Sequence, residues 1–350
     1  GLDSLPAGTV LRFARGGAWA SVFIQTENLN ATASSRITFE DFTPAWGGSA
    51  APIMHCGATA CVSLGNFGST TYDGGYTFRN FKFDGTTNTS TWCVTASEAT
   101  QYVTLTGVEV TGCGVGIQSN QTATLKNRYW LITSSNIHHN TSQGILGGFS
   151  YSTVERNTFT QNATDETPGF GHNYYIGAGS GTANLVVRFN TFYGSGAGAD
   201  GACANGHITG HGQLDSLVVE GNKIESTSYT AGCGGINLNP AYDGTQPGEY
   251  CRNCIVRGNT LINAAAVGIA VSGAPGIVIE NNWVVQTISS TVSTGFAHPG
   301  RNPSIGGSFD DTYDDADSAA VFRNNGCYFG SPSDGAICIN FSGQPTGTGL

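Results

Sequence analysis

The sequence predicts an all-β fold, a parallel β-helix in which one chain winds as stacked coils. Three observations predict it. A short strand–turn–strand segment recurs with an aligned Asn. The residue two places before that Asn alternates in charge from copy to copy. A second apolar segment, opening near a Gly, recurs between the copies.

The first repeat runs TVERNTFT, LVVRFNTFY, LVVEGNKIE, CIVRGNTLI, IVIENNWVV and AVFRNNGCYF, and aligns Asn157, Asn190, Asn222, Asn259, Asn282 and Asn325. Apolar residues lie three places before (Val154, Val187, Val219, Val256, Ile279, Phe322) and two places after (Phe159, Phe192, Ile224, Leu261, Val284, Cys327). They flank a turn and alternate with polar positions, which is the strand signature. Earlier copies align at Asn80, Gly107 and Asn136. Spacings of 21 to 43 residues suit one coil, or one coil plus a loop. In such a stack each Asn amide donates to the next, and Asn tolerates the left-handed backbone of a sharp turn.

The alternating column is Glu155, Arg188, Glu220, Arg257, Glu280 and Arg323. Opposite charges on adjacent strands attract, so an exposed ion-pair ladder is expected. The second repeat (VGIQSN, QGILGG, HNYYIG, GHITGH, GGINLN, VGIAVS) puts Ile117, Ile145, Tyr174, Ile208, Ile236 and Ile269 in an inward column. The next residues, Gln118, Leu146, Tyr175, Thr209, Asn237 and Ala270, then point outward.

Elongated folds add rungs instead of enlarging a sphere, so 350 residues fit one continuous domain. Residues 1–70 are assigned to an N-terminal cap and the first coils, and 71–350 to the β-helix with a C-terminal capping segment. Only 11% of residues are charged, against roughly 25% in typical soluble domains. A surface of hydroxyls and amides points to a secreted, extracellular protein. The net charge of −10, with 14 basic residues and no basic cluster, excludes a nucleic-acid binder. No apolar run reaches the ~18 residues of a membrane-spanning helix. The opening GLDSLPAGTV lacks the features of a signal peptide, as expected of a processed chain. Ten Cys fit disulfides. The simplest pairing joins neighbours: Cys56–Cys61, Cys93–Cys113, Cys203–Cys233, Cys251–Cys254 and Cys327–Cys338. No second CxxC accompanies Cys251 and Cys254, which favours a disulfide there over zinc.

With these coils in place, residues 70 to 340 resemble the right-handed parallel β-helix proteins of the pectin-lyase-like superfamily. The resemblance implies a single-stranded right-handed solenoid with long loops. It also implies a cap at LPAGTVLRFARGGAW, where a strand and the Arg15-Gly16-Gly17 turn cover the first coil. The superfamily holds polysaccharide lyases, polygalacturonase-type hydrolases, sugar epimerases, tailspikes, adhesins and surface structural proteins, so the fold leaves function open. Gly210-His211-Gly212 matches one part of the hydrolase pattern. The Asp-Asp pairs at 310–311 and 314–315 follow it instead of preceding it, and Asn-Thr-Asp and Arg-Ile-Lys are missing. The Asp-Pro-His motif of alginate epimerases is missing too.

The densest polar patch spans three coils: His172, Asn173 and Tyr175; His207, Thr209 and His211; Asn237 and Asn239. β-Elimination from a uronate needs a base and a group that neutralises the carboxylate. The candidates are His207, His211 and Tyr175, with Lys223 or Asn237 in support. His172, Asn173, Thr209, Asn237 and Asn239 are assigned to substrate binding, as outward-pointing groups. A zinc site of His172, His207 and His211 lacks supporting spacing. Asp310, Asp311, Asp314 and Asp315 make a Ca²⁺ candidate, although the EF-hand pattern fails. The sequons at Asn30, Asn88, Asn120, Asn140, Asn162 and Asn340 are expected on exposed turns. Two readings follow. One is a secreted carbohydrate-active enzyme, foremost a polysaccharide lyase. The other is a non-catalytic surface fibre, filament subunit or adhesin that self-assembles or binds a surface glycan.

Overall fold

A computed structural model describes residues 2–65, 71–87, 90–122, 124–166, 171–230, 232–238, 250–264, 267–271, 274, 276–288, 294–299, 320–330 and 337–342, with backbone only at 178–180, 294–299 and 337–342. Asn239 and the Asp310–315 cluster, with the Ca²⁺ reading, lie outside them.

Each coil gives one strand to each of three parallel sheets. The first sheet runs from Val10–Ala14 to Val321–Arg323, the second from Ala18–Val22 to Gly326–Phe329, and the third from Ile24–Thr26 to Ile337–Ser342. Residues stack in columns because every strand pairs in parallel with the equivalent strand one coil away. The core is the space the three sheets enclose. Phe39 stacks on Phe78, and Phe159 on Phe192, each at 4.6 Å between ring centres. Ile117, Ile145, Tyr174, Ile208, Ile236 and Ile269 form one fully buried column of the third sheet, in the order their periodicity predicts.

Between the first two sheets, Asn157, Asn190, Asn222, Asn259, Asn282 and Asn325 stand on a common line. Each Nδ2 donates to the Oδ1 of the next at 3.0 Å. The other Nδ2 hydrogen goes to a main-chain carbonyl of the preceding coil, as from Asn190 to Val154 at 2.9 Å. The same Oδ1 accepts the main-chain N–H of the Asn below, as from Asn157 to Asn190 at 2.9 Å. Every polar atom of the buried amide is thereby satisfied.

The early copies sit one residue away from the predicted alignment. Asn136 pairs with Thr158, so the column continues through Ser135, whose N–H donates to Asn157 Oδ1 at 3.0 Å. Asn80 and Gly107 precede the column positions Phe81 and Val108, since Phe83 pairs with Val110 and Val110 with Ile137. The left-handed residue of this corner is likewise the one before the ladder. Asn80, Gly107, Ser134, Arg156, Phe189, Gly221, Gly258, Asn281 and Asn324 all have φ between 54° and 63°. The ladder Asn is therefore selected for its amide and not for its backbone freedom.

The charge column extends beyond the six predicted layers. Arg12, Glu40, Arg79, Thr106 and Thr133 continue it towards the N-terminus. Arg12 and Arg79 both reach Glu40, at 3.0 and 3.5 Å. Arg188 meets Glu155 at 2.7 Å, Arg257 meets Glu220, and Arg323 meets Glu280 at 2.6 Å. The arginines are exposed, so each pair stabilises by about 1 kcal/mol or less.

Disulfides join Cys56–Cys61, Cys93–Cys113, Cys203–Cys233 and Cys251–Cys254. Cys327 is also disulfide-bonded, and the side chain of Cys338 is outside the described residues. At the N-terminal end, the strand expected to cover the first coil is itself that coil, pairing Val10 with Thr38. Leu2 and Leu5 pack on the core beside it, and Asn28 Nδ2 donates to both their carbonyls at 2.7 and 3.0 Å.

Candidate functional site

The candidate patch lies on the third sheet, where the strands His172–Ala183, Gly206–Asp215 and Gly234–Leu238 adjoin. Tyr175, Thr209 and Asn237 occupy one outward column and His172, Gly206 and Gly234 another. The imidazole of His172 stacks on Tyr175 with ring centres 5.0 Å apart, and Tyr175 lies 5.3 Å from His211. Thr209 Oγ1 is hydrogen-bonded to His172 Nδ1 at 3.1 Å.

Glycines make this layer possible. A Cβ at Gly206 would lie 2.4 Å from His172 Nδ1, one at Gly177 would lie 2.4 Å from the Tyr175 ring, and one at Gly234 would lie 2.0 Å from Asn237 Nδ2. The three polar side chains therefore lie back against the sheet. His172 and Thr209 form a buried underlayer; Tyr175, His211 and Asn237 are half-buried and reach solvent.

Two predicted members face the other way. Asn173 and His207 are fully buried. Asn140, Asn162 and Asn173 form a second amide relay, with Nδ2-to-Oδ1 distances of 2.8 and 2.9 Å. Asn173 Oδ1 is thus an acceptor, and its Nδ2 donates to the Gly194 carbonyl at 2.7 Å and to His207 Nδ1 at 3.1 Å. His207 must then carry its proton on Nε2, which donates to Ser226 Oγ at 3.2 Å. The expected outward orientation of Asn173 and His207 is corrected: neither can touch a substrate. The zinc set of His172, His207 and His211 fails with it, because His207 lies inside the wall and the other two outside. Cys203, Cys233 and His207 do converge within 4.8 Å, but the two sulfurs are bonded to each other. The sequons at Asn140 and Asn162 are likewise interior rungs, not exposed turns.

Lys223 is also displaced from the patch. It belongs to the outward face of the second sheet, pairs in register with Thr191 and Thr260, and contacts Glu225 at 2.5 Å. No described contact brings it to Tyr175 or His211.

Burial sets the electrostatics. It pushes His172 down to about 3, helped by repulsion from His211, and it alone pushes His207 to about 3. Both rings are uncharged at neutral pH. The two outward columns of the third sheet, Val115, Gln143, His172, Gly206 and Gly234 with Gln118, Leu146, Tyr175, Thr209, Asn237 and Ala270, contain no Asp, Glu, Lys or Arg. The first sheet, by contrast, carries the ion column. Among the described residues, Tyr175 and His211 are the groups on this patch that combine solvent contact with a proton to give or take.

No protein-family model matches the chain. No curated protein matches it either. Solved structures do. An alginate lyase from Paenibacillus sp. superposes with a TM-score of 0.51 at 12% identity, covering 97% of this chain and 94% of that one. The Dettilon tailspike protein superposes at 0.51 and 14% identity, over 95% of this chain and 61% of that one. A lacto-N-biosidase from Eubacterium ramulus gives 0.52 and 12%, over 93% and 63%. At these identities the likeness is one of fold. The all-parallel three-sheet coil, its stacked columns and these superpositions together identify the fold of the chain as a parallel β-helix.

Proposed function

We propose that this is an extracellular carbohydrate-active β-helix protein that holds a polysaccharide against the outer face of its third sheet. The observation that carries the proposal is the layer of Tyr175, His211 and Asn237, without a carboxylate, ammonium or guanidinium group in its outward columns, supported by His172 and Thr209. Aromatic rings offer apolar faces to the C–H faces of sugars, and amides and imidazoles match sugar hydroxyls. Glycine-backed side chains that lie flat make a long, shallow contact surface and not a closed pocket. Superposition with proteins named as an alginate lyase and a lacto-N-biosidase adds support at the level of fold.

The face favours a neutral glycan. A uronate polymer brings a carboxylate on each sugar, and the chain carries a net charge of −10. A lyase reaction at this site would run through Tyr175 and His211, one taking the proton from the carbon α to the carboxylate and the other donating a proton to the leaving glycosidic oxygen as its C–O bond breaks. Their contact supports that reading. Their distance in the fold from Lys223 weighs against it, because β-elimination needs the carboxylate neutralised.

A panel of neutral and uronate polysaccharides tests both levels. Binding to a neutral polymer, lost in Tyr175→Ala, is expected. Growth of unsaturated-product absorbance on a uronate polymer would instead establish the lyase. Neither binding nor product on any polymer would overturn the carbohydrate assignment.

A further inference from the structure

His138 and His139 lie on another wall and play no part in the patch above. His138 ends the strand Asn136–His138 of the second sheet. His139 follows in the left-handed conformation, φ 52°, which turns its side chain back towards His138. The two Nδ1 atoms stand 2.8 Å apart, with the rings nearly perpendicular. Each ring is held from behind by a carboxylate: His138 Nε2 meets Glu109 Oε1 at 3.3 Å, and His139 Nε2 meets Asp200 Oδ1 at 2.9 Å. Lys82 Nζ meets the same Glu109 oxygen at 2.9 Å.

The proton inventory is restrictive. A carboxylate only accepts, so each Nε2 carries a hydrogen. In a neutral imidazole the other nitrogen is then a lone pair. Two acceptor nitrogens are consequently brought to 2.8 Å, and their repulsion is relieved either by a proton shared between them or by a cation that both coordinate from one side. Carboxylates bound to the outer nitrogens are also what orients imidazoles towards a metal.

We propose that the paired Nδ1 atoms of His138 and His139 bind a divalent transition-metal ion, with Glu109 and Asp200 as positioning residues. The bite selects among metals. Nitrogens about 2.0 Å from one ion are about 2.8 Å apart when they subtend about 90°, the angle of a tetragonal Cu(II) site. Tetrahedral Zn(II) asks for about 3.3 Å. Thr111 Oγ1, 3.4 Å from His138 Nδ1, adds an oxygen on one side. The His139 side chain is 45% exposed, so water or an external ligand reaches the remaining positions.

The test uses the full chain freed of metal by chelation, titrated with Cu(II) or Zn(II) and followed by calorimetry and low-temperature electron paramagnetic resonance. One equivalent of Cu(II) is expected, with hyperfine coupling to two ring nitrogens and Zn(II) at least about 10-fold weaker. His138→Gln and His139→Asn should each weaken Cu(II) at least about 10-fold; Asn is chosen at 139 because it accepts the left-handed backbone. Asp200→Ala should weaken it by roughly 10-fold while leaving both nitrogens in the spectrum. Cu(II) binding that both histidine variants retain would place the ion elsewhere and overturn the proposal, as would no binding at all. Should a variant fail to fold, the wild-type chain decides. Substoichiometric Cu(II) must broaden the ring resonances of His138 and His139 before those of His55 and His211, and the reverse order refutes the site.

Discussion

Asn157 donates both its main-chain N–H, at 2.9 Å, and its side-chain amide, at 3.0 Å, to the single Oδ1 of Asn190. Repeated five times between six stacked Asn residues, this two-into-one contact fixes the vertical register of the coils. It joins the first two sheets at a corner where backbone donors would otherwise be buried without partners.

Breaking one rung should be costly. Asn222→Ala removes the acceptor of two Asn190 donors and the donor to the Val187 carbonyl. A loss of about 2–4 kcal/mol is expected in denaturant unfolding. Asn136→Ala, exposed and beside the column, should cost less than about 0.5 kcal/mol. Equal effects would show that the ladder is incidental.

The ion column should respond to sign. Arg257→Glu would set a third carboxylate between Glu220 and Glu280. A loss of about 1–2 kcal/mol is expected at low salt, much of it recovered at 1 M salt, where the screening length falls to about 3 Å. A salt-independent loss would indicate damaged packing instead.

Acid stability follows from three buried groups. His172 and His207 sit at about 3, below the unfolded value near 6.5, so the unfolded chain binds two more protons between those limits. Their contribution is present above pH ~6.5 and is lost as pH falls towards 3. Asp73 has the opposite sign. Burial pushes it up to about 7, although Tyr76 Oη donates to its two oxygens at 2.8 and 3.0 Å. The native chain therefore holds one extra proton there between about 4 and 7. From these groups, stability should rise by about 1.4 kcal/mol per pH unit between pH 4.5 and 6, and by about twice that in Asp73→Asn. His138, lowered by burial, adds in the direction of the other histidines. A shallower slope in Asp73→Asn would contradict the assignment.

Architecture was legible wherever a side chain repeats coil after coil. The Asn column, the alternating charges and the inward Ile column all rest on residues that recur at fixed offsets. Register failed where the recurring residue is absent. Phe81, Val108 and Ser135 hold the column position, while Asn80 and Asn136, one residue to either side, mimic it. The patch was half legible. Strict alternation predicts Asn173 and His207 to be outward, yet both turn inward. The same position holds the buried Cys61 and Cys93 in early coils and Gly116, Gly144 and Gly235 in others, where a Cβ would lie 2.2–2.5 Å from a neighbouring carbonyl oxygen. That run of glycines is the signal that marks a wall position with no room outside. Lys223 misled for another reason: sequence proximity to the patch cannot tell one sheet of a coil from the next.

Chemistry was less legible than architecture because it depends on which wall faces a ligand. Exposed aromatics occur on more than one wall. Trp283, 55% exposed, lies over Gly326 on the second sheet much as Tyr175 lies over Gly177 on the third.

That similarity provides the most direct test of the glycan face. Titration of one neutral oligosaccharide into the wild type, Tyr175→Ala and Trp283→Ala compares equivalent losses of aromatic surface on two walls. The third-sheet account predicts at least a 10-fold rise in Kd, about 1.4 kcal/mol, for Tyr175→Ala and an unchanged Kd for Trp283→Ala. The reverse pattern, with Trp283→Ala abolishing binding and Tyr175→Ala retaining it, would contradict the account.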